Sequence, residues 1–148
     1  MSLSEVSDIL WRERDLLELL VFKLEEEQLI LDSRRLRWLA HAGREVEMVR
    51  EEIRQVELLR SVEVASLAAE LEIGSDVSLR QLAAAVDEPW RSIFVDHRRS
   101  LLASTREIRN LAEAGRGALE AGAAATTEEL GWLGGADEVF GPEEASTP

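Results

Sequence analysis

Read for its alternation of apolar and polar positions, the chain begins with a single sustained period. Steps of four and three residues from Val6 fall on Val6, Leu10, Glu13, Leu17, Leu20, Leu24, Glu27 and Leu31, six of the eight apolar. That is a heptad seam. It predicts a helix from near Ser4 to about Leu31, opened by a Ser2/Glu5 capping box. A helix of about 26 residues is about 39 Å long and cannot bury its stripe against itself, so another part of the chain or another chain must cover it.

Asp32 and Ser33 carry N-cap chemistry and predict a break or a register shift. A second helix is expected over 34–72, with the stripe Leu39, Ala42, Val46, Val49, Ile53 and Val56 and a C-terminal stop at Gly74. Gly43 costs that helix about 1 kcal/mol relative to alanine, too little to break it. Antiparallel pairing of the two helices is the simplest cover for the opening seam.

Ser78 and Gln81 form another capping box, and Leu79, Leu82, Ala83 and Val86 predict a helix of about two turns that plugs the bundle end. Pro89, preceded by Asp87 and Glu88, marks the next helix start. From there Ile93, His97, Leu101, Ser104, Ile108, Leu111 and Gly115 continue a seam of declining bulk. Glycines in 112–127, at about 0.8–1 kcal/mol each, weaken the end of this helix. The fold class expected is all-α: an elongated antiparallel bundle of three long helices and one short connecting helix, with coiled-coil-like packing, over 1–130. The acidic, Gly-rich stretch 131–148 is expected to be a tail disordered in isolation.

Composition narrows the functions. With 45% apolar and 32% charged residues, 5% aromatics and three prolines, the chain reads as one globular helical domain. A net charge of −13 disfavours nucleic acid and anionic membranes as partners and suits a cationic or neutral polypeptide. There is no cysteine, hence no disulfide framework or thiolate chemistry. No apolar run reaches the 18 or so residues of a membrane span, and the acidic opening MSLSEVSD does not resemble a signal peptide, so a cytoplasmic protein without membrane insertion is expected.

Candidate chemistry is sparse. His41 and His97 have no partners at helical spacing that would make a di-iron or zinc set, and phosphate-binding and nucleophile-elbow motifs are absent. The chain is therefore expected to be no enzyme, with no cofactor and no metal. Two features exceed what packing requires. Glu13 and Glu27 stand where the seam calls for apolar residues. They are expected to meet arginines such as Arg60, Arg98 or Arg99 across the bundle and to set register, the alternative being recognition of a basic segment. The weak C-terminal third carries Leu119, Leu130, Trp132, Leu133, Val139 and Phe140 in an otherwise small and acidic sequence, as a segment that orders on a partner would.

These stretches resemble the cytoplasmic flagellar export chaperones of the FlgN type, which serve the hook-filament junction proteins. The matching runs are LLELLVFKLEEEQLIL, QVELLRSVEVASLAAEL, SLRQLAAAV, EPWRSIFVDHRRSLLASTREI and AEAGRGALEAG, and together they cover about residues 6–130. The resemblance implies a helical protein whose C-terminal helical region binds the C-terminal helices of the hook-associated junction proteins, prevents their premature assembly and delivers them to the export gate. On that reading Ile108, Leu111, Ala118, Leu119 and Trp132 are the client-binding residues. Family members often carry an asparagine-rich stretch in the last helix, and Gly115 and Gly117 stand in that neighbourhood. The family's tyrosine-glycine at the gate-docking position has no counterpart with tyrosine, since the chain has none. Phe140 and Gly141, followed by Pro142, take its place. The alternative is a coiled-coil scaffold that forms a homo-oligomer through its heptad seam.

Overall fold

The computed structural model describes residues 2–116 and 139–141. It contains α1 (Leu3–Asp32), a 3-10 turn (Leu36–Trp38), α2 (Leu39–Glu70), α3 (Leu79–Ala85) and α4 (Trp90–Arg116), with no strand among the described residues. Three long helices and one short one are what the periodicity predicts.

Helix α1 starts where its chemistry says it should. The Ser2 amide donates to Glu5 Oε2 at 3.0 Å and the Glu5 amide donates to Ser2 Oγ at 3.1 Å, closing the capping box. Six of the eight predicted seam residues, Val6, Leu10, Glu13, Leu17, Leu20 and Leu24, are buried, while Glu27 and Leu31 at its far end are half-buried. Helix α2 packs antiparallel along this seam and α4 runs parallel to α1 on its other side. Ser7 meets His97 near the start of both helices and Gln28 faces Gly115 near their ends. The helix that carries the strongest period is thus the central one. Its stripe is covered within the chain, which leaves the self-association alternative without the free seam on which it rests.

The break between α1 and α2 falls at 33–35, as Asp32 and Ser33 suggest. The second helix is shorter than expected, because 36–38 form a 3-10 turn and the helix proper begins at Leu39. Its stop is also differently made. Glu72, not Gly74, takes the left-handed conformation, with φ 58°, and the Ile73 amide closes a six-residue ring onto the Ala68 carbonyl at 3.1 Å. The first helix ends in the same way at Arg34, with φ 56°, and the Arg35 amide bonded to the Ile30 carbonyl at 3.2 Å. Both are Schellman closures built without glycine. Gly74, at φ 109°, belongs to the loop that follows.

The α2 stripe is buried from Ala42 through Val56, while Leu39 is only half-buried. Helix α3 has its Ser78/Gln81 capping box and seals the end of the bundle by burying Leu79, Leu82 and Ala83, with Val86 beside them. Helix α4 keeps His97, Leu101 and Ile108 of the expected seam in the core and departs from it at two positions, where Phe94 replaces Ile93 and Thr105 replaces Ser104. Phe94, His97, Leu101, Thr105 and Ile108 are buried, whereas Ile93, Ser104 and Leu111 lie half-buried at the rim. The larger Phe94 ring takes the core position, and Thr105 can be buried because its hydroxyl donates to the Leu101 carbonyl at 2.7 Å.

Candidate functional site

The seam carboxylates find arginine, as predicted, but each in its own way. Glu13, at 1% exposure, accepts from the Arg60 guanidinium in a buried ion pair, so of the three arginines considered it is Arg60 that crosses to α1. Burial pushes the Glu13 carboxyl above its usual value and Arg60 pulls it back only in part. Glu27 is half-buried and shifted the same way by desolvation, against the field of Arg50 on α2. A Cβ at Gly43 would stand 3.6 Å from Glu27 Oε2, an ordinary contact, so Gly43 faces this carboxylate across the α1/α2 interface without glycine being required there. Glu13 sits inside the α1/α2 interface and Glu27 at its half-buried edge, the placement expected of seam carboxylates that face arginines across the bundle.

Two further groups are strongly perturbed. Desolvation pushes Glu57 up to about 7, with the Glu13 carboxylate reinforcing the shift and Arg60 and Arg54 opposing it. His97 is fully buried and is pushed down to about 4, by desolvation first and by the Arg14 guanidinium second, against the pull of Asp96. The signs are opposite. Glu57 keeps a proton in the fold that the unfolded chain releases above about 4.5, so its stabilisation is full below that value and is lost as pH rises through about 7. His97 stays neutral where the unfolded imidazole takes up a proton below about 6.5, so its contribution is lost as pH falls towards about 4. Urea midpoints are expected to decline from pH 6 to pH 8, and Glu57→Gln is expected to flatten that decline. An unchanged alkaline slope in the variant contradicts the assignment.

The surroundings of His97 were not visible in the sequence, because its partners are about 90 residues away on α1. Ser7 Oγ lies 2.9 Å from His97 Nε2, and Arg14 Nη1 lies 3.3 Å from Nδ1 while also donating to Asp96 at 3.1 Å. Trp11 meets the imidazole edge-on at 5.0 Å, and the Arg14 guanidinium stacks on Trp11 at 4.0 Å. A serine beside a histidine suggests a nucleophile, but the donor inventory says otherwise. Guanidinium only donates, so Nδ1 is the acceptor, the proton resides on Nε2, and the imidazole donates to Ser7 instead of taking its proton. The cluster ties α1 to α4 and activates nothing. The only sequence signal for it was a histidine on a buried seam, which must find polar partners.

The predicted client residues divide. Ile108 is fully buried against the core and Leu111 lies half-buried at its rim. Ala118, Leu119 and Trp132 lie outside the described residues. At the other end of the bundle the predicted docking pair is packed onto the fold. Phe140 is 3% exposed, with the Arg60 guanidinium 5.1 Å from its ring centre. Arg98 Nε donates to the Phe140 carbonyl at 2.7 Å and Nη2 reaches the Gly141 carbonyl at 3.4 Å. Arg98, a candidate partner for the seam glutamates, thus faces the C-terminal segment. Sequence reasoning had no means of finding this, since the two lie about 40 residues apart with no shared period.

Apolar side chains also remain on the outside. Leu19, Phe22 and Leu29 on α1 and Met48, Leu58 and Val62 on α2 are exposed. Among the described residues no group of acidic, histidine or cysteine side chains could hold a metal, and no helix is long and apolar enough to cross a membrane.

No curated protein and no solved structure matches the chain. The family model described as FlgN protein matches residues 1–140, nearly the whole of the sequence. The chain therefore belongs to the FlgN family of flagellar export chaperones.

Proposed function

We propose that this protein is a cytoplasmic, non-enzymatic chaperone that binds the C-terminal helices of hook-associated junction proteins, prevents their premature assembly and presents them to the flagellar export gate. The family match over residues 1–140 carries this reading. The client is held by the last helical region through Leu111, Ala118, Leu119 and Trp132. Ile108 becomes available only where the end of α4 parts from α1.

The taper of α4 supports this placement. Phe94, Leu101 and Ile108 are buried, Leu111 is half-covered, and at Gly115 no side chain meets Gln28 of α1. An amphipathic client helix recovers the apolar contacts that this end lacks. The net charge of −13 speeds encounter with a basic client and makes that association rate fall with salt. Phe140 and Gly141 serve as the gate-docking pair.

Full-length protein carrying Leu119→Asp is expected to bind a junction-protein C-terminal peptide at least about tenfold more weakly in calorimetric titration, since burying a leucine is worth about 1.5–3 kcal/mol and each 1.4 kcal/mol is tenfold. Undiminished affinity removes the last helical region as the client site.

A further inference from the structure

The seat of Phe140 and Gly141 has the features of a built recognition site. Four elements of the segment are read separately. The ring of Phe140 is buried under the Arg60 guanidinium, 5.1 Å from its centre. Its carbonyl and that of Gly141 both face the fork of Arg98, at 2.7 and 3.4 Å. Gly141 adopts φ 88°, and a Cβ there would stand 2.8 Å from Cβ of Arg80, so any side chain at this position meets α3. Val139 lines a pocket with Ser61 and Val64 of α2 and with Val77 and Leu79 at the start of α3. An aromatic ring, two carbonyls and an obligatory glycine amount to specificity, which nonspecific collapse of an apolar residue does not need.

We infer that residues 139–141 form a latch: the slot between α2, α3 and α4 is a binding site for the chain's own Val-Phe-Gly segment, and its occupancy withholds that segment from the export gate. The geometry of the chain permits closure in cis. The slot lies near Arg98 in the first third of α4, about 27 Å along the helix from Arg116. The 22 residues between Arg116 and Val139 can span up to about 75 Å. Tethering makes the slot an intramolecular competitor for the segment, and apparent affinity for the gate scales with the fraction of molecules whose latch is open. Withholding rests on the reading of Phe140 and Gly141 as the docking pair. The latch itself does not.

Because the chain has no cysteine, a single Glu144→Cys substitution in the full-length protein can carry a nitroxide. Amide signals of Ser61, Val64 and Arg80 are expected to be broadened by it, and to regain intensity severalfold when Arg98→Ala or Gly141→Val is added, with helical circular dichroism unchanged. No broadening in the parent protein, or equal broadening in both variants, overturns the latch. In the second arm the cytoplasmic domain of the export gate is titrated with unlabelled parent and with Arg98→Ala and Arg98→Lys, all of which keep the Val-Phe-Gly segment intact. Arg98→Ala is expected to bind at least about tenfold more tightly than the parent, with Arg98→Lys between them. Equal gate affinity while the label reports an opened latch overturns withholding. Absence of gate binding in every variant, with the latch seen to open, defeats the reading of Phe140 and Gly141 as the docking pair and leaves the slot as a packing site.

Discussion

Arg60→Ala is expected to cost about 3–5 kcal/mol of folding stability, the largest loss we anticipate from one polar substitution, because it strands the Glu13 carboxylate at 1% exposure between α1 and α2. Glu13 can escape only by taking up a proton. Its carboxyl is already pushed up by burial, and removing the guanidinium pushes it further. The defect in Arg60→Ala is therefore expected to shrink as pH falls, and urea unfolding at pH 5 and pH 8 measures both quantities. The double substitution Glu13→Leu with Arg60→Met is expected to regain most of the loss or exceed the parent, since replacing a buried pair by apolar side chains of similar volume is often neutral or stabilising. Such a variant also tests what the pair is for. If the ion pair fixes the register of α2 on α1, the double variant gains stability and loses sharp dispersion in its amide spectrum. A double variant that remains as unstable as Arg60→Ala shows that Arg60 acts chiefly through Phe140 and not through Glu13.

Ile108→Ala is expected to lose about 2–5 kcal/mol, the range for truncating a fully buried aliphatic side chain. Leu111→Ala, at the rim, is expected to lose about 1 kcal/mol or less. For a chain of this size the first shifts the thermal midpoint by several degrees and the second by a few at most. Client affinity is expected to rank the two in reverse, with Leu111→Ala the weaker binder once both are compared below their unfolding transitions. This separates the helix that holds the bundle together from the part of it that works on a partner, although both residues were read from the sequence as one face. Equal effects on stability, or a client defect confined to Ile108→Ala, contradict the division.

The difference between these two residues shows where the sequence was informative. A sustained period of 3.5 on α1 leaves only one way to bury Leu10, Leu17, Leu20 and Leu24, so the central helix and its antiparallel neighbour were legible from spacing alone. The two serine capping boxes were equally legible, because each is closed by groups three residues apart. Register on α4 was legible only in part, at His97, Leu101 and Ile108. Its seam mixes small and polar residues, and choosing Phe94 over Ile93 or Thr105 over Ser104 depends on what stands opposite on α1. The helix stops were misread at Gly74 because left-handed closure is a backbone event that Glu72 can carry when the flanking hydrogen bonds hold it. Partners far apart in the chain, Ser7 with His97 and Arg98 with Phe140, follow from the fold and not from any local pattern. The family was recognisable from its leucine and glutamate runs, and the match over residues 1–140 agrees.

The central claim is that α1 is the scaffold and that the client is held beyond Ile108. Amide hydrogen exchange on the full-length protein, with and without a saturating junction-protein C-terminal peptide, tests it most directly. The account predicts that the client slows exchange from Leu111 onward and leaves the α1 amides between Leu10 and Leu24 unchanged. Protection appearing instead along the exposed Leu19, Phe22 and Leu29 face of α1, with none after Ile108, would contradict it.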